Sequence, residues 1–400
     1  MTTSHSPGPV PTGSSAGLDW RLGGTAGITV GQTNSIVDVA GITVGHASRV
    51  GGGWLTGSTV VLAPAAGAVA GVDVRGGGAA TRETAALDPT GVVERIQAVH
   101  FSGGSAYGLD ATAGVLSVLQ NLGHGFRVGA DPRHVVPIVP AASIFDLGRG
   151  GDFDNRPDAA LAAQATEAAL LSQVVEQGSV GAATGAVTGE MRGAIGTASA
   201  VLPGGIVVAA LVVVNADGTT INPRTGEPWG LFAELPLADG TGEFGIVAPS
   251  AEEHAAAVAT LTGEVARRPP LRPLNTTLAV IATNADLAKA ELTKLAGTAH
   301  DGMARAIRPV HTLGDGDVVF ALSTTGGGLP TPAEGLHPDH SRADSINQIL
   351  TAGADVLTRG IVHAVLSAEP ITTAAGFLPS YRSLYPVATA GYRSRNRDPR

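Results

Sequence analysis

The chain has 400 residues, of which 44 % are hydrophobic and 15 % charged; its formal net charge is −9 and it contains no cysteine. Disulfides and thiolate chemistry are excluded, and an acidic balance without a patch of Lys and Arg disfavours nucleic acid or an anionic membrane as a partner. With 56 Gly against 8 Phe, 3 Trp and 4 Tyr, close backbone packing and many tight turns are expected.

Residues 1–33 are rich in Ser, Pro, Gly and Thr and read as a disordered arm. They lack the basic segment followed by an apolar one that marks a secretory signal, and the apolar runs of the chain fall short of the ~20 residues of a membrane span. A cytoplasmic protein is the expectation. The stretch NSIVDVAGITVGH, Asn34 to His46, alternates apolar and polar residues around Gly41 and predicts a hairpin. Strands follow at Ser58 to Leu62 and Ala68 to Val74, ending in the glycine run 76–78. His46 has no second His at metal spacing, and no metal site or cofactor is expected.

Between Val99 and Leu122 the order is strand, glycine turn, helix; Gly103-Gly104 opens the helix, a place where free N–H groups can receive an anion or a carbonyl oxygen, or where small residues simply permit close packing. The stretch 135–147 reads as a strand, Pro157 to Val175 as an Ala-rich helix, and Glu176 to Ser199 as loop with short strands. Gly205 to Val214 is a buried strand closed by Asn215. Helices are predicted at Ala251 to Leu261, Ala285 to Ile307 and Ala343 to Leu366, with His300 and Asp301 on the surface of the second and a polar tail at 385–400. Residues 34–384 form one domain on this reading.

The decisive stretch is LRPLNTTLAVIATNADL, residues 271–287. A Pro- and Arg-rich segment runs into Asn275-Thr276-Thr277 and then into an apolar strand, so flexible chain meets rigid sheet at a threonine. A chain that cuts itself needs this arrangement. Freed as an N-terminus, Thr276 would carry its own base, because an α-amine with a reference pKa of about 7.7–8.0 is partly neutral near pH 7. The tripeptide also fits a plain turn feeding a strand. Downstream, Gly314-Asp315-Gly316-Asp317 leads into the strand Val318 to Ser323. Carboxylates at i and i+2 share a side and could orient an ammonium group, or merely solvate a turn.

Taken together, Asn34 to His46, Gly103 to Gly114 (GGSAYGLDATAG), Asn275 to Asn284 (NTTLAVIATN) and His311 to Phe320 (HTLGDGDVVF) resemble the DmpA and nylon-oligomer hydrolase family of self-cleaving aminopeptidases and amidases. The resemblance implies an α/β fold, an αββα four-layer sandwich shared with ornithine acetyltransferases, a precursor cut into two chains, and assembly of several such heterodimers into a homo-oligomer. It places the cut between Asn275 and Thr276, the nucleophile at Thr276, supporting carboxylates at Asp315 and Asp317, and an oxyanion-stabilising amide at Asn215. Tyr107 lies in a matching motif. Where the nylon-oligomer branch has a Lys and a Tyr, this chain has Arg192 and Phe145: the guanidinium keeps the charge but is no base, and the phenol's hydrogen bond is lost. Arg192 also reads as an ordinary surface arginine. The implied substrates are small peptides, amino-acid amides or ω-amino amides; the alternative is acyl transfer of the ornithine acetyltransferase kind.

Overall fold

Three neighbouring strands, Val207–Val213 (VVAALVV), Leu278–Thr283 (LAVIAT) and Val318–Ser323 (VVFALS), are apolar on both faces, so each must be covered on both sides. In the computed structural model, which describes residues 27–267, 274–332 and 337–393, they form the centre of a seven-stranded sheet. Its order is Thr29–Val30, Ile195–Val201, Val207–Val213, Leu278–Thr283, Val318–Ser323, Ala68–Val74, Arg95–Ile96. The pair Leu278–Thr283 and Val318–Ser323 is parallel, in register Leu278 to Val318; the sheet's other pairings are antiparallel. A second sheet of five strands runs Thr43–Gly51, Trp54–Leu62, Ala98–Ser102, Ala141–Ser143, Ala80–Arg82.

Alternate side chains assign the layers. Leu211, Val213, Leu278, Val280 and Phe320 of the larger sheet meet Val44, Val61, Val99 and Phe101 of the smaller one in a buried core between them. The opposite face of the larger sheet, through Val208, Ala210, Val212, Ile281 and Val319, packs on helices Lys289–Ala306 and Pro338–Ser367. The far face of the smaller sheet, through Val60, Leu62 and Ala98, packs on Thr112–Asn121 and Ala159–Leu171. The architecture is an αββα four-layer sandwich. Helix and sheet come close at Gly196, where a Cβ would lie 2.0 Å from the Gly360 carbonyl oxygen. The segment His340–Ser367 is long and apolar enough to cross a membrane, but 89 % of its apolar window is buried within the molecule.

Several expectations need correction. The segment from Asn34 is no hairpin: Ser35 accepts a hydrogen bond from Val37 N–H and caps a short 3-10 turn, Ile36–Asp38, before the strand Thr43–Gly51. Alternation read as β pairing is here a turn whose Ile36 is buried under the Thr197 hydroxyl, which accepts the Ile36 N–H. The arm does not extend to 33, because Thr29–Val30 adds an edge strand to Ile195–Val201; residues 1–26 lie outside the described residues. Residues 176–199 are less irregular than expected, since Ile195–Val201 is a full strand. At the C-terminal end Tyr385 and Ala388 are buried, so 385–393 belongs to the packed body; residues 394–400 lie outside the described residues. His300 is not a surface residue: it is fully buried, its Nε2 within 3.1 Å of the Asp73 carbonyl.

A buried ionic cluster ties distant segments together. Arg359 donates from Nε and Nη2 to Glu243 at 2.5 and 2.8 Å, from Nη2 to Asn34 Oδ1 at 2.8 Å and from Nη1 to the Ser199 carbonyl at 2.9 Å. Burial opposes ionisation of Glu243, yet the Arg359 charge and the hydrogen bonds from His363 and Arg359 outweigh it and hold the carboxyl well below the usual range.

Three histidines away from that cluster carry a pH prediction. Burial lowers His46 to about 4, His100 to about 3 and His300 to about 4. Their folded-state values lie below the unfolded 6.5, so the unfolded chain takes up more protons as pH falls from 6.5 toward 4, and stability is lost across that window. The cost is up to about 1.4 kcal/mol per histidine per pH unit. Asp146, raised to about 6 by burial, acts with opposite sign and offsets one of the three below pH 6. The urea midpoint is expected to be clearly lower at pH 5 than at pH 7.

Candidate active site

The ladder between the parallel strands continues beyond Leu278 and Val318 to Asn275 and Asp315, which form a parallel bridge. Asn275 N–H donates to the Gly314 carbonyl at 3.2 Å, Gly316 N–H to the Asn275 carbonyl at 3.0 Å, and Val318 N–H to the Thr277 carbonyl at 3.1 Å. Thr277 N–H departs from this slanted pattern and donates to Asp317 Oδ1 at 2.6 Å. On the other flank Thr276 N–H donates to the Asn215 carbonyl at 2.6 Å. Thr276 is thus pinned from both sides and only 4 % exposed. Its hydroxyl reaches the carbonyl oxygen of the residue before it, at 2.5 Å.

The Asn275 carbonyl oxygen therefore receives two donors, the Thr276 hydroxyl and the Gly316 N–H. A backbone N–H fixed at this place is what an oxyanion formed on Asn275 would require. Gly316 has a second role. A Cβ there would fall 2.7 Å from Thr276 Oγ and 3.0 Å from Ala79 Cα. Gly316→Ala is accordingly expected to displace the hydroxyl and to slow any reaction it performs by about 10²-fold, read as the rate of appearance of a product chain beginning at Thr276.

Both predicted carboxylates are buried, each 1 % exposed, on the stretch that runs beside Asn275–Thr277 into the strand Val318–Ser323. Asp317 spans two elements: Oδ1 accepts Thr277 N–H, while Oδ2 accepts the His311 N–H at 3.2 Å and its Nδ1–H at 2.7 Å. His311 has a left-handed φ of 57°, which brings its ring back to the carboxylate. Asp315 accepts from the Thr312 N–H and hydroxyl at 3.0 and 2.8 Å and from Asp217 N–H at 3.2 Å. Burial, and then the neighbouring Asp317 charge, push its carboxyl up from the ordinary value.

Arg149 was not legible in the sequence. It stands in the loop after Ala141–Ser143, within Gly148-Arg149-Gly150-Gly151, and is only 6 % exposed. Its Nη1 donates to the Gly185 carbonyl at 2.8 Å and to Asn215 Oδ1; its Nη2 donates to Asn275 Oδ1 at 2.9 Å. A guanidinium has only donors, so both Asn side chains must present oxygen to it. Burial lowers Arg149 to about 10, against the opposing charges of Asp146 and Glu190. A long cation between glycines just past a strand end was the available signal. His311 and Gly316 were also passed over, the first because its link to Asp317 needs an unusual backbone angle.

The remaining predicted residues divide. Asn215 is fully buried beside Thr276, with Oδ1 taken by Arg149 and by Val187 N–H at 3.0 Å; its Nδ2 makes a long 3.4 Å contact with the Phe145 carbonyl. Phe145 enters the site through that backbone oxygen. Arg192 is no surface arginine: 4 % exposed, it donates to the Thr184 and Glu369 carbonyls at 2.7 and 3.3 Å, and burial followed by the nearby Arg149 charge lowers it to about 10. It is a clamp on loop carbonyls. Tyr107 is 53 % exposed, with the Arg156 guanidinium 3.9 Å from its ring centre. Among the described residues no three His, Asp or Glu side chains are gathered as metal ligands would be.

Comparison with known proteins adds the following. The sequence profile described as Peptidase family S58 matches residues 34–378. An uncharacterized aminopeptidase of Mycobacterium bovis is 43 % identical over 363 residues, covering 89 % of this chain and 99 % of that protein. A 6-aminohexanoate-oligomer endohydrolase of Kocuria sp. is 30 % identical over 310 residues, covering 76 % and 78 %. Among solved structures, a Burkholderia sp. beta-aminopeptidase superposes with a TM-score of 0.62 at 24 % identity, over 92 % of this chain and 96 % of that one. The L-aminopeptidase D-Ala-esterase/amidase of Ochrobactrum anthropi, described as a variant of the N-terminal nucleophile hydrolase fold, gives 0.62 at 19 % identity, over 90 % and 96 %.

Proposed function

The chain belongs to peptidase family S58 and is a hydrolase of amide bonds; from that premise we propose that it severs its own Asn275–Thr276 bond and then uses Thr276 as the nucleophile. In the first phase Thr276 Oγ attacks the Asn275 carbonyl carbon, the peptide C–N bond breaks, and the hydroxyl proton passes to the freed amine. Water then opens the resulting ester to a carboxylate at Asn275 and a free Thr276. In the second phase the α-amine takes the proton from Oγ as it attacks a substrate amide. The substrate amine leaves with a proton, and water hydrolyses the ester on Oγ. Gly316 N–H stabilises the oxyanion of the first phase, and Asn215 and backbone N–H groups that of the second. Asp315 and Asp317 orient the ammonium.

The observation that carries this reading is the Asn275 carbonyl oxygen, received by Gly316 N–H at 3.0 Å and by the Thr276 hydroxyl at 2.5 Å. The relatives named as aminopeptidases and as an ω-amino-oligomer hydrolase support short peptides, amino-acid amides or ω-amino amides as the substrate class. The acyl-transfer alternative is set aside, because the family is described as one of peptidases and these relatives are named as an aminopeptidase and an oligomer endohydrolase. Intact-mass measurement of purified protein tests the first phase: two pieces meeting at 275/276 are expected. A single uncut chain that nevertheless hydrolyses amides overturns the mechanism.

A further inference from the structure

The residue on the N-terminal side of the proposed cut is held in more detail than a leaving segment needs. Asn275 has three fixed contacts: its α-nitrogen donates to the Gly314 carbonyl at 3.2 Å, its carbonyl oxygen accepts from Gly316 N–H at 3.0 Å, and its side-chain Oδ1 accepts from Arg149 Nη2 at 2.9 Å. The last donor is a buried cation whose Nη1 is already committed to Gly185 and Asn215.

The chemistry of self-cleavage makes these contacts informative about substrate. The ester formed by the cut is an acyl-enzyme, with the Asn275 acyl group on Thr276 Oγ; the ester formed from a substrate places the substrate's acyl group on the same oxygen. Water adds to both carbonyl carbons and releases a carboxylic acid and the Thr276 hydroxyl. Two esters hydrolysed at one atom in one rigid frame share their surroundings. Once Asn275 has become a chain end and withdrawn, Arg149 Nη2, the Gly314 carbonyl and Gly316 N–H face the space that the substrate's acyl half must fill.

We infer, resting on the self-cleavage reading above, that Arg149 is a specificity residue and that the acyl half of the substrate is asparaginyl-like: an α-amine for the Gly314 carbonyl and a β-carboxamide or β-carboxylate oxygen for Arg149. An α-ammonium uses the Gly314 carbonyl as the Asn275 amide does. An acyl group without the acceptor leaves Nη2 of the buried guanidinium without the partner that Asn275 gives it, and a site built around a hydrogen bond discriminates strongly against analogues that lack it.

The test uses the full, self-processed enzyme with the 4-nitroanilides of asparagine, aspartate, 2-aminobutyrate and leucine. The asparaginyl and aspartyl compounds are expected to exceed 2-aminobutyryl, which keeps the size and loses the acceptor, by at least about tenfold in kcat/KM. Arg149→Met is expected to level the series. Because that variant also loses a contact of the uncut chain, Asn275→Ala supplies an independent arm: its self-cleavage slows by at least about tenfold while the cut product keeps the wild-type preference. An enzyme that cuts itself and hydrolyses the four compounds equally, or hydrolyses none, overturns the inference and leaves the self-cleavage reading standing. An uncut, active chain overturns the reading beneath it.

Discussion

Thr276→Ala is expected to yield one uncut polypeptide and to lower amide hydrolysis by at least about 10⁴-fold. The hydroxyl is the atom that faces the Asn275 carbonyl at 2.5 Å, and the frame around it, with Asn215 on one side and Gly316 on the other, offers no substitute nucleophile at that point. Thr277 is no replacement, since its backbone N–H is bound to Asp317 and its side chain is fully buried one residue further into the sheet. Thr276→Ser keeps the hydroxyl and is expected to restore both the cut and much of the turnover. Denaturing electrophoresis with N-terminal sequencing reads the first effect and initial rates on aminoacyl amides the second. Substantial hydrolysis by the alanine variant would remove Thr276 from the mechanism.

The largest expected effect on stability comes from Arg359→Ala, at about 3–5 kcal/mol. The change strands the Glu243 carboxylate, whose side chain is 0 % exposed, and takes a donor from Asn34 Oδ1 and from the Ser199 carbonyl. His363, near Glu243 at 3.1 Å, cannot replace a bidentate guanidinium. Placed in the uncut Thr276→Ala background, where one chain simplifies the equilibrium, the substitution should show as a fall in the urea midpoint. The pair Arg359→Met with Glu243→Leu should recover much of the loss, because an apolar pair of similar size carries no desolvation cost. If Arg359→Ala alone shifts the midpoint by less than 1 kcal/mol equivalent, about a surface ion pair's worth, the cluster is not what fastens Asn34 to the body.

What could be read in advance was local chemistry written in consecutive residues. LAVIAT and VVFALS announce buried strands because β-branched and small apolar residues leave no polar face. Asn275-Thr276 and the Asp315, Asp317 pair stand at the starts of those strands, so the parallel register that aligns Leu278 with Val318 also brings the two motifs together. Contacts that join remote segments were hidden. Arg149 reaches across 126 positions to Asn275, and no spacing rule predicts that a loop cation will fold onto that residue. His300 was misjudged, and Arg192 was left open between a site role and a solvated one, for a related reason: a lone polar side chain is usually solvated, and only the tertiary structure supplies the carbonyls that let these two be buried. The misread segment at Asn34 shows the reverse error, in which a periodic pattern yields to a side-chain cap from Ser35.

The central pair of strands has one more property. Leu278–Thr283 and Val318–Ser323 come after the proposed cut, and both of their outer neighbours, Val207–Val213 and Ala68–Val74, come before it. Scission at 275/276 would open the polymer while leaving the later piece wedged inside the earlier one, gripped along two seams at once. The fragments could then part only by tearing the sheet, so dissociation and unfolding become a single event that releases two chains, and the melting midpoint of the nicked protein climbs with its concentration.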